Sequence, residues 1–107
     1  MDPERIATAS EGMIGKGRDT YETRLAAGQA RLKMKQYPEA IEHLSRATEH
    51  QPSQTMAWQE LGKALKGQDD TKAAEQAWQQ ALQLARQNGD KQAEKILQVW
   101  LKRLRQN

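Results

Sequence analysis

The chain contains no cysteine and no phenylalanine, and only three of its 107 residues are proline. Without cysteine there is no disulfide, no thiolate metal site and no thiol nucleophile. No stretch approaches the roughly 18 apolar residues needed to cross a bilayer. The opening, MDPERIATASEG, has acids at its front and lacks the apolar run of a secretory signal, so the expectation is a cytoplasmic protein. Hydrophobic residues make up 36% of the chain and charged residues 29%. Any core is therefore thin, and the length suits one domain with no second independent core. The net charge of +3 permits an anionic partner without requiring one.

What is present is helix-forming material: alanine and glutamine are abundant, and breakers fall between the long segments. Pro3, between Asp2 and Glu4, can open a short helix, but Gly12, Gly15 and Gly17 follow closely. Residues 1–18 are accordingly expected to be a poorly ordered lead or a short turn of helix. Asp19 or Thr20 caps a helix running to about Lys35, and Tyr37-Pro38-Glu39 starts another that ends near His50. Ser53 caps a third, ending at Gly67; Asp70 or Thr71 opens a fourth, which Asn88-Gly89 stops near Gln87. Asp90 caps a fifth, from Lys91 to about Arg105. The short connections make successive helices antiparallel neighbours.

Sliding the sequence against itself by 34 residues aligns Gly28 with Gly62, Ala30 with Ala64, Ala40 with Ala74 and Ala47 with Ala81. Between residues 21–52 and 55–86 every identity is glycine or alanine. A repeat that keeps only its small residues preserves places where two backbones come close. Gly62, in the middle of TMAWQELGKALKG, costs its helix about 0.5–1 kcal/mol relative to alanine. Close helix packing is the reason to keep it.

In period and in pattern the chain resembles the tetratricopeptide repeat, a helix-turn-helix unit of W-x2-L-G-x2-Y, then A-x3-F, then P. The second copy carries Trp58, Leu61, Gly62 and Leu65, then Ala74, Trp78 and Ala81, and departs at Arg86 where the proline would fall. The first carries Ala27-Gly28, Ala40, Leu44, Ala47 and Pro52, with Arg24 in place of the tryptophan and Arg31 in place of the tyrosine. A third, displaced by one residue, is reduced to Ala93, Ile96, Leu97 and Trp100. The resemblance implies an all-α fold of about five helices, antiparallel helix-turn-helix repeats stacked as a short right-handed superhelix. Repeat one would span about 21–54, repeat two about 55–89, and a capping helix about 90–105, all within a domain of residues 19–107.

Several stretches invite a chemical reading and do not sustain it. GMIGKG at 12–17 places Gly17 after Lys16, where a phosphate-binding loop needs a hydroxyl residue. His43 and His50 lie two helical turns apart, too far to share a metal, and read as solvent-facing residues of an outer helix. Trp58, Trp78 and Trp100 fall at interior places of the repeat and read as core. Lys95, Lys102, Arg103 and Arg105 favour the end of a helix by opposing its dipole, although the same cluster would suit a nucleic acid or an anionic lipid. No catalytic, metal or cofactor site emerges, and an enzyme is not expected.

If the resemblance holds, first helices line a concave face that holds peptides. Its expected residues are Glu22, Leu25, Gln29, Leu32 and Lys33 in the first repeat, and Met56, Gln59, Lys63 and Lys66 in the second. Lys91, Glu94, Gln98, Leu101 and Lys102 complete it in the last helix. Gln29, Lys33, Gln59, Lys63, Lys66 and Lys102 are the candidate binding residues. Lysine outnumbers glutamate, so the implied partner is a protein or peptide with an acidic segment or a chain terminus. At about 3.3 Å per residue, roughly six to ten extended residues would fit. The alternatives are a small self-associating module, monomer or weak dimer, and a weak nucleic-acid binder using the basic last helix.

Overall fold

A computed structural model describes residues 1–106. These form six α-helices: α1 (Pro3–Gly15), α2 (Tyr21–Lys33), α3 (Tyr37–His50), α4 (Thr55–Gly67), α5 (Thr71–Asn88) and α6 (Lys91–Gln106). The fold is all-α, with one helix more than the five expected. The additional helix is α1. It starts where Asp2 caps the Glu4 N–H at 3.0 Å with Pro3 in the first turn, and it packs Ala7 and Ser10 against the body of the protein. That burial outweighs the propensity cost of Gly12 and Gly15, which both remain helical; the chain breaks only at Gly17, whose φ is +90°.

The helix starts reveal a longer register than the residue identities do. α2 and α4 begin at 21 and 55, one period of 34 apart, and α1, α3 and α5 begin at 3, 37 and 71, again one period apart. By position α1 is therefore a second helix of a repeat, like α3 and α5. The turns repeat as well: Lys35 and Asp69, one period apart, both take left-handed backbone, with φ of 58° and 64°. Thr20 and Thr23 cap α2 reciprocally, Asp70 caps α5, and Gly89 closes it at φ 71°. Asp90 accepts from the Ala93 N–H at 3.0 Å. Ser53 is not a cap; α4 starts at Thr55 with Gln54 at the N-cap position and no side-chain cap bond, and the Pro52 carbonyl accepts from the Trp58 indole at 2.9 Å.

Small residues set the helix spacing. Ala27, Ala40, Ala47, Ala57, Ala64, Ala74 and Ala81 are fully buried. A Cβ on Gly62 would lie 2.1 Å from Trp78 Nε1, and one on Gly28 would lie 2.5 Å from Leu44 Cγ. In each repeat the large side chain of the second helix thus sits directly on the glycine of the first. Around these contacts are two apolar clusters. One is built on Leu44, Leu61 and Ala77, and a larger one on Trp78, Leu97, Leu101 and Leu104.

Repeat one fills its motif positions differently. Arg24 and Arg31 stand where repeat two has Trp58 and Leu65, and Arg24 is only 9% exposed. Arg24 grips Asp19 with two hydrogen bonds of 2.8 Å, Nε to Oδ1 and Nη2 to Oδ2. It also donates from Nη1 to His43 Nδ1 at 3.0 Å. Arg31 grips both carboxylate oxygens of Glu11 on α1, and Glu11 Oε2 lies 2.8 Å from His43 Nε2. His43 is consequently 9% exposed, not the surface residue expected from its outer-helix position. Once α1 is helical and packed on α2, its Glu11 reaches across to the ring and closes it off. His50 is partly exposed and lies 2.8 Å from Asp19 Oδ1. An arginine guanidinium can only donate, so Nδ1 of His43 is an acceptor and the ring proton sits on Nε2, facing Glu11.

Candidate functional site

The first helices present two clefts along one face. Between α2 and α4 the walls are Gln29, Leu32, Lys33, Glu60 and Lys63, enclosing about 470 Å³. Between α4 and the following helices the walls are Lys63, Lys66, Gly67, Trp78, Trp100 and Arg103, enclosing about 390 Å³. Adding one period to Gln29, Leu32 and Lys33 yields Lys63, Lys66 and Gly67. The clefts are one feature repeated, and Lys63 belongs to both.

Their chemistry differs. In the first, Gln29 Nε2 donates to Glu60 Oε1 at 3.3 Å. Lys63 Nζ stands 3.3 Å from Glu60 Oε2, yet that oxygen accepts no hydrogen bond among the described residues. Glu60 is the acidic residue that the sequence reading left out of this face, and it offsets part of the positive charge of Lys33 and Lys63. In the second cleft the walls carry three cations, Lys63, Lys66 and Arg103, and no acid. The floor is aromatic: the Trp78 and Trp100 rings lie 5.3 Å apart at 41°. Lys63 Nζ sits 5.1 Å over the Trp100 ring, within cation–π range. Trp78 is held in place by its N–H, which donates to the Gln59 carbonyl at 3.1 Å.

Four of the six expected residues are therefore brought together: Gln29, Lys33, Lys63 and Lys66. Gln59 is a wall of neither cleft and contributes its backbone carbonyl to Trp78. Lys102 lines a third cleft, between α5 and α6, with Leu82 and Leu101. Arg103 and Trp100 line this face although the sequence reading placed them elsewhere, Arg103 in the basic end of the last helix and Trp100 in the core. Trp100 is half-buried and reads as core from its spacing. The available signal was Arg103 itself, three residues on and so on the same side of the helix as Trp100.

Among the described residues no three or more His, Asp or Glu side chains gather as metal ligands would. No helix is long and apolar enough to cross a membrane.

Comparison with known proteins adds to this geometry. Tetratricopeptide repeat profiles match residues 22–64 and residues 57–88. The chain is 40% identical over 94 residues to TPR repeat-containing protein PA0015 of Pseudomonas aeruginosa strain PAO1, covering 88% of this chain and 90% of that one. The solution structure of protein BPP2914 from Bordetella parapertussis superimposes with a TM-score of 0.81 at 38% identity. That match covers 94% of this chain and 88% of that one.

Proposed function

Because the chain belongs to the tetratricopeptide repeat family, whose members generally mediate protein–protein interaction without catalysis, we propose that it is a cytoplasmic scaffold for an acidic peptide. The bound segment is a short acidic stretch or a chain terminus carrying a carboxylate, and the seat is the face of α2, α4 and α6. The observation that carries this reading is the second cleft, where three cations converge on two indole rings with no acid in the wall. Lys63, Lys66 and Arg103 are exposed at this cleft, so a carboxylate can reach them, and three like charges beside two indole rings sum to a field that favours an anion there.

The first cleft supports the same reading from the opposite sign. Glu60 puts a carboxylate in the wall of that cleft, its Oε2 turned inward 3.3 Å from Lys63 Nζ, and a carboxylate there suits a backbone N–H of the bound chain. The ligand would lay carboxylates toward Lys66 and Arg103 and turn a donor toward Glu60, with Lys63 between them. Direction of binding follows from that asymmetry.

The test is an NMR titration with a short acidic peptide. Shifts are expected on Gln29, Lys63, Lys66 and the Trp100 indole. Lys66→Glu with Arg103→Glu should weaken binding at least about tenfold, the order of one lost charge-assisted contact per cation. Perturbation confined to residues 1–20, or unchanged affinity in the double variant, would overturn the proposal.

A further inference from the structure

The helix register shows that the array begins and ends out of phase. α1 aligns with α3 and α5, the second helices, yet among the described residues no first helix accompanies it. α6 follows α5 in the place of a first helix, beginning 36 residues after α4 (91 against 55), and among the described residues no second helix accompanies it. Burial records both gaps. Ala9 lies one period before His43 and two before Ala77; Met13 is related in the same way to Ala47 and Ala81. Those four are 9%, 4%, 0% and 0% exposed, whereas Ala9 is exposed and Met13 is 41% exposed. At the other end the helix starts, 36 residues apart, set Gln98 at the register of Gly62, where residue spacing alone had put Leu97; Gln98 is exposed, while Gly28 and Gly62 lie buried under Leu44 and Trp78. Beside Gln98 runs a cleft of about 680 Å³ between α5 and α6, with Leu82, Leu101 and Lys102 in its walls.

We propose that these two bare faces are partners: α1 of a second copy of this chain docks in the α5/α6 cleft as the second helix of the repeat that α6 begins. Copies then join head to tail. The steric fit reverses that of the internal repeats. There a glycine on the first helix receives a large side chain from the second; here Gln98 takes the place of the glycine. Ser10, one period before Leu44, is already buried in its own chain, so the side chains that α1 offers to Gln98 are the exposed Ala9 and Met13. The two helices of a repeat run antiparallel, so the start of the incoming α1, with Asp2 and Glu4, lies at the Lys102 end of α6. Its other end, with Lys16 and Arg18, lies near Asp90 and Glu94. Opposite charges meet at the Lys102 end, where Arg105 also lines the cleft; at the other end Arg86 stands in the wall and Glu94 is already held by Arg86 and Lys91.

Head meets tail and leaves another head and tail free. Such a contact does not close, so assemblies lengthen with concentration and do not stop at a dimer. It uses neither peptide cleft, and it stands or falls separately from the peptide-binding role.

The experiment is sedimentation velocity of the wild-type chain and two variants at exposed positions, Ala9→Glu at the head and Gln98→Glu at the tail, each confirmed folded by circular dichroism. If either variant fails to fold, Met13→Glu or Lys102→Glu takes its place. The wild type is expected to grow beyond a dimer as its concentration rises toward roughly 1 mM, the range of weak specific contacts. Each variant alone should remain a monomer. Their equimolar mixture should form one 1:1 dimer and stop, because only one intact head and one intact tail remain. A wild type that stays monomeric throughout, a single variant that still dimerises through like faces, or a mixture that forms no dimer would each overturn the inference.

Discussion

Gly62 shows how a single hydrogen atom can decide a repeat. Replacing it with alanine raises helix propensity by about 1 kcal/mol, but the new methyl would stand 2.1 Å from Trp78 Nε1 and drive the indole off the Gln59 carbonyl. Overpacking of this kind costs about 1–3 kcal/mol and the lost indole hydrogen bond adds to it. Gly62→Ala is therefore expected to lower stability by about 1–3 kcal/mol in urea unfolding, and a more stable variant would contradict the packing. Glu11 is the acidic counterpart. The Arg31 guanidinium, and after it the hydrogen bond from His43, hold its carboxyl down at about 2, against an ordinary value of 4.5. A carboxyl depressed on folding stabilises fully above the higher value and loses that contribution as pH falls through the lower. Stability should thus decline between pH 4.5 and about 2, and Glu11→Gln should flatten this decline while lowering stability at pH 7. Asp19 is depressed in the same direction by Arg24 first and His50 second, so Glu11→Gln should leave part of the acid loss in place.

Among the elements, the turn between the first and second helix of each repeat carries a consistent strain. Lys35 and Asp69 occupy left-handed backbone without being glycine. Such a conformation costs an ordinary residue about 1–2 kcal/mol, and glycine escapes it at an entropic cost of about 0.5–1 kcal/mol. Lys35 is exposed, so Lys35→Gly should stabilise by about 0.5 kcal/mol, read as a higher urea midpoint with an unchanged slope; Lys35→Ala should not. The helices themselves were legible from their breakers because caps act locally: Thr20, Asp70, Asp90 and Gly89 all serve as their residue types suggest. α1 was not, since Gly12 and Gly15 argue against a helix and only its burial against α2 overrides them.

Across the molecule, the two ends are held by different forces. α5 and α6 close over Trp78, Leu97, Leu101 and Leu104, whereas α1 is fastened to repeat one through Glu11, Arg31 and His43. Apolar burial is insensitive to salt and pH, and a partly exposed ionic seam is sensitive to both. Native-state hydrogen exchange should find α1 opening first, with the α5 and α6 amides slowest, and acid or high salt should widen that difference. Equal protection of α1 and α6 at pH 4 would refute the ionic seam as the weaker fastening.

Period, small-residue spacing and helix ends were determined by the sequence alone, because each is local or strictly periodic: a glycine at 28 and 62, a cap at 70, a stop at 89. The tertiary structure decided what depends on bringing distant side chains together. It turned Arg31 from an apparent departure into an anchor of α1 through Glu11, gave Arg24 to Asp19 and His43, and closed His43 off with a carboxylate from a helix that its own glycines disguise. On the candidate face it added Glu60, Trp100 and Arg103 and set Lys102 apart in another cleft, because the rotation of α6 about its axis is fixed by the packing of Leu97 and Leu101. A helix's residues follow from sequence spacing, but the direction in which its face points is settled only by what it packs against.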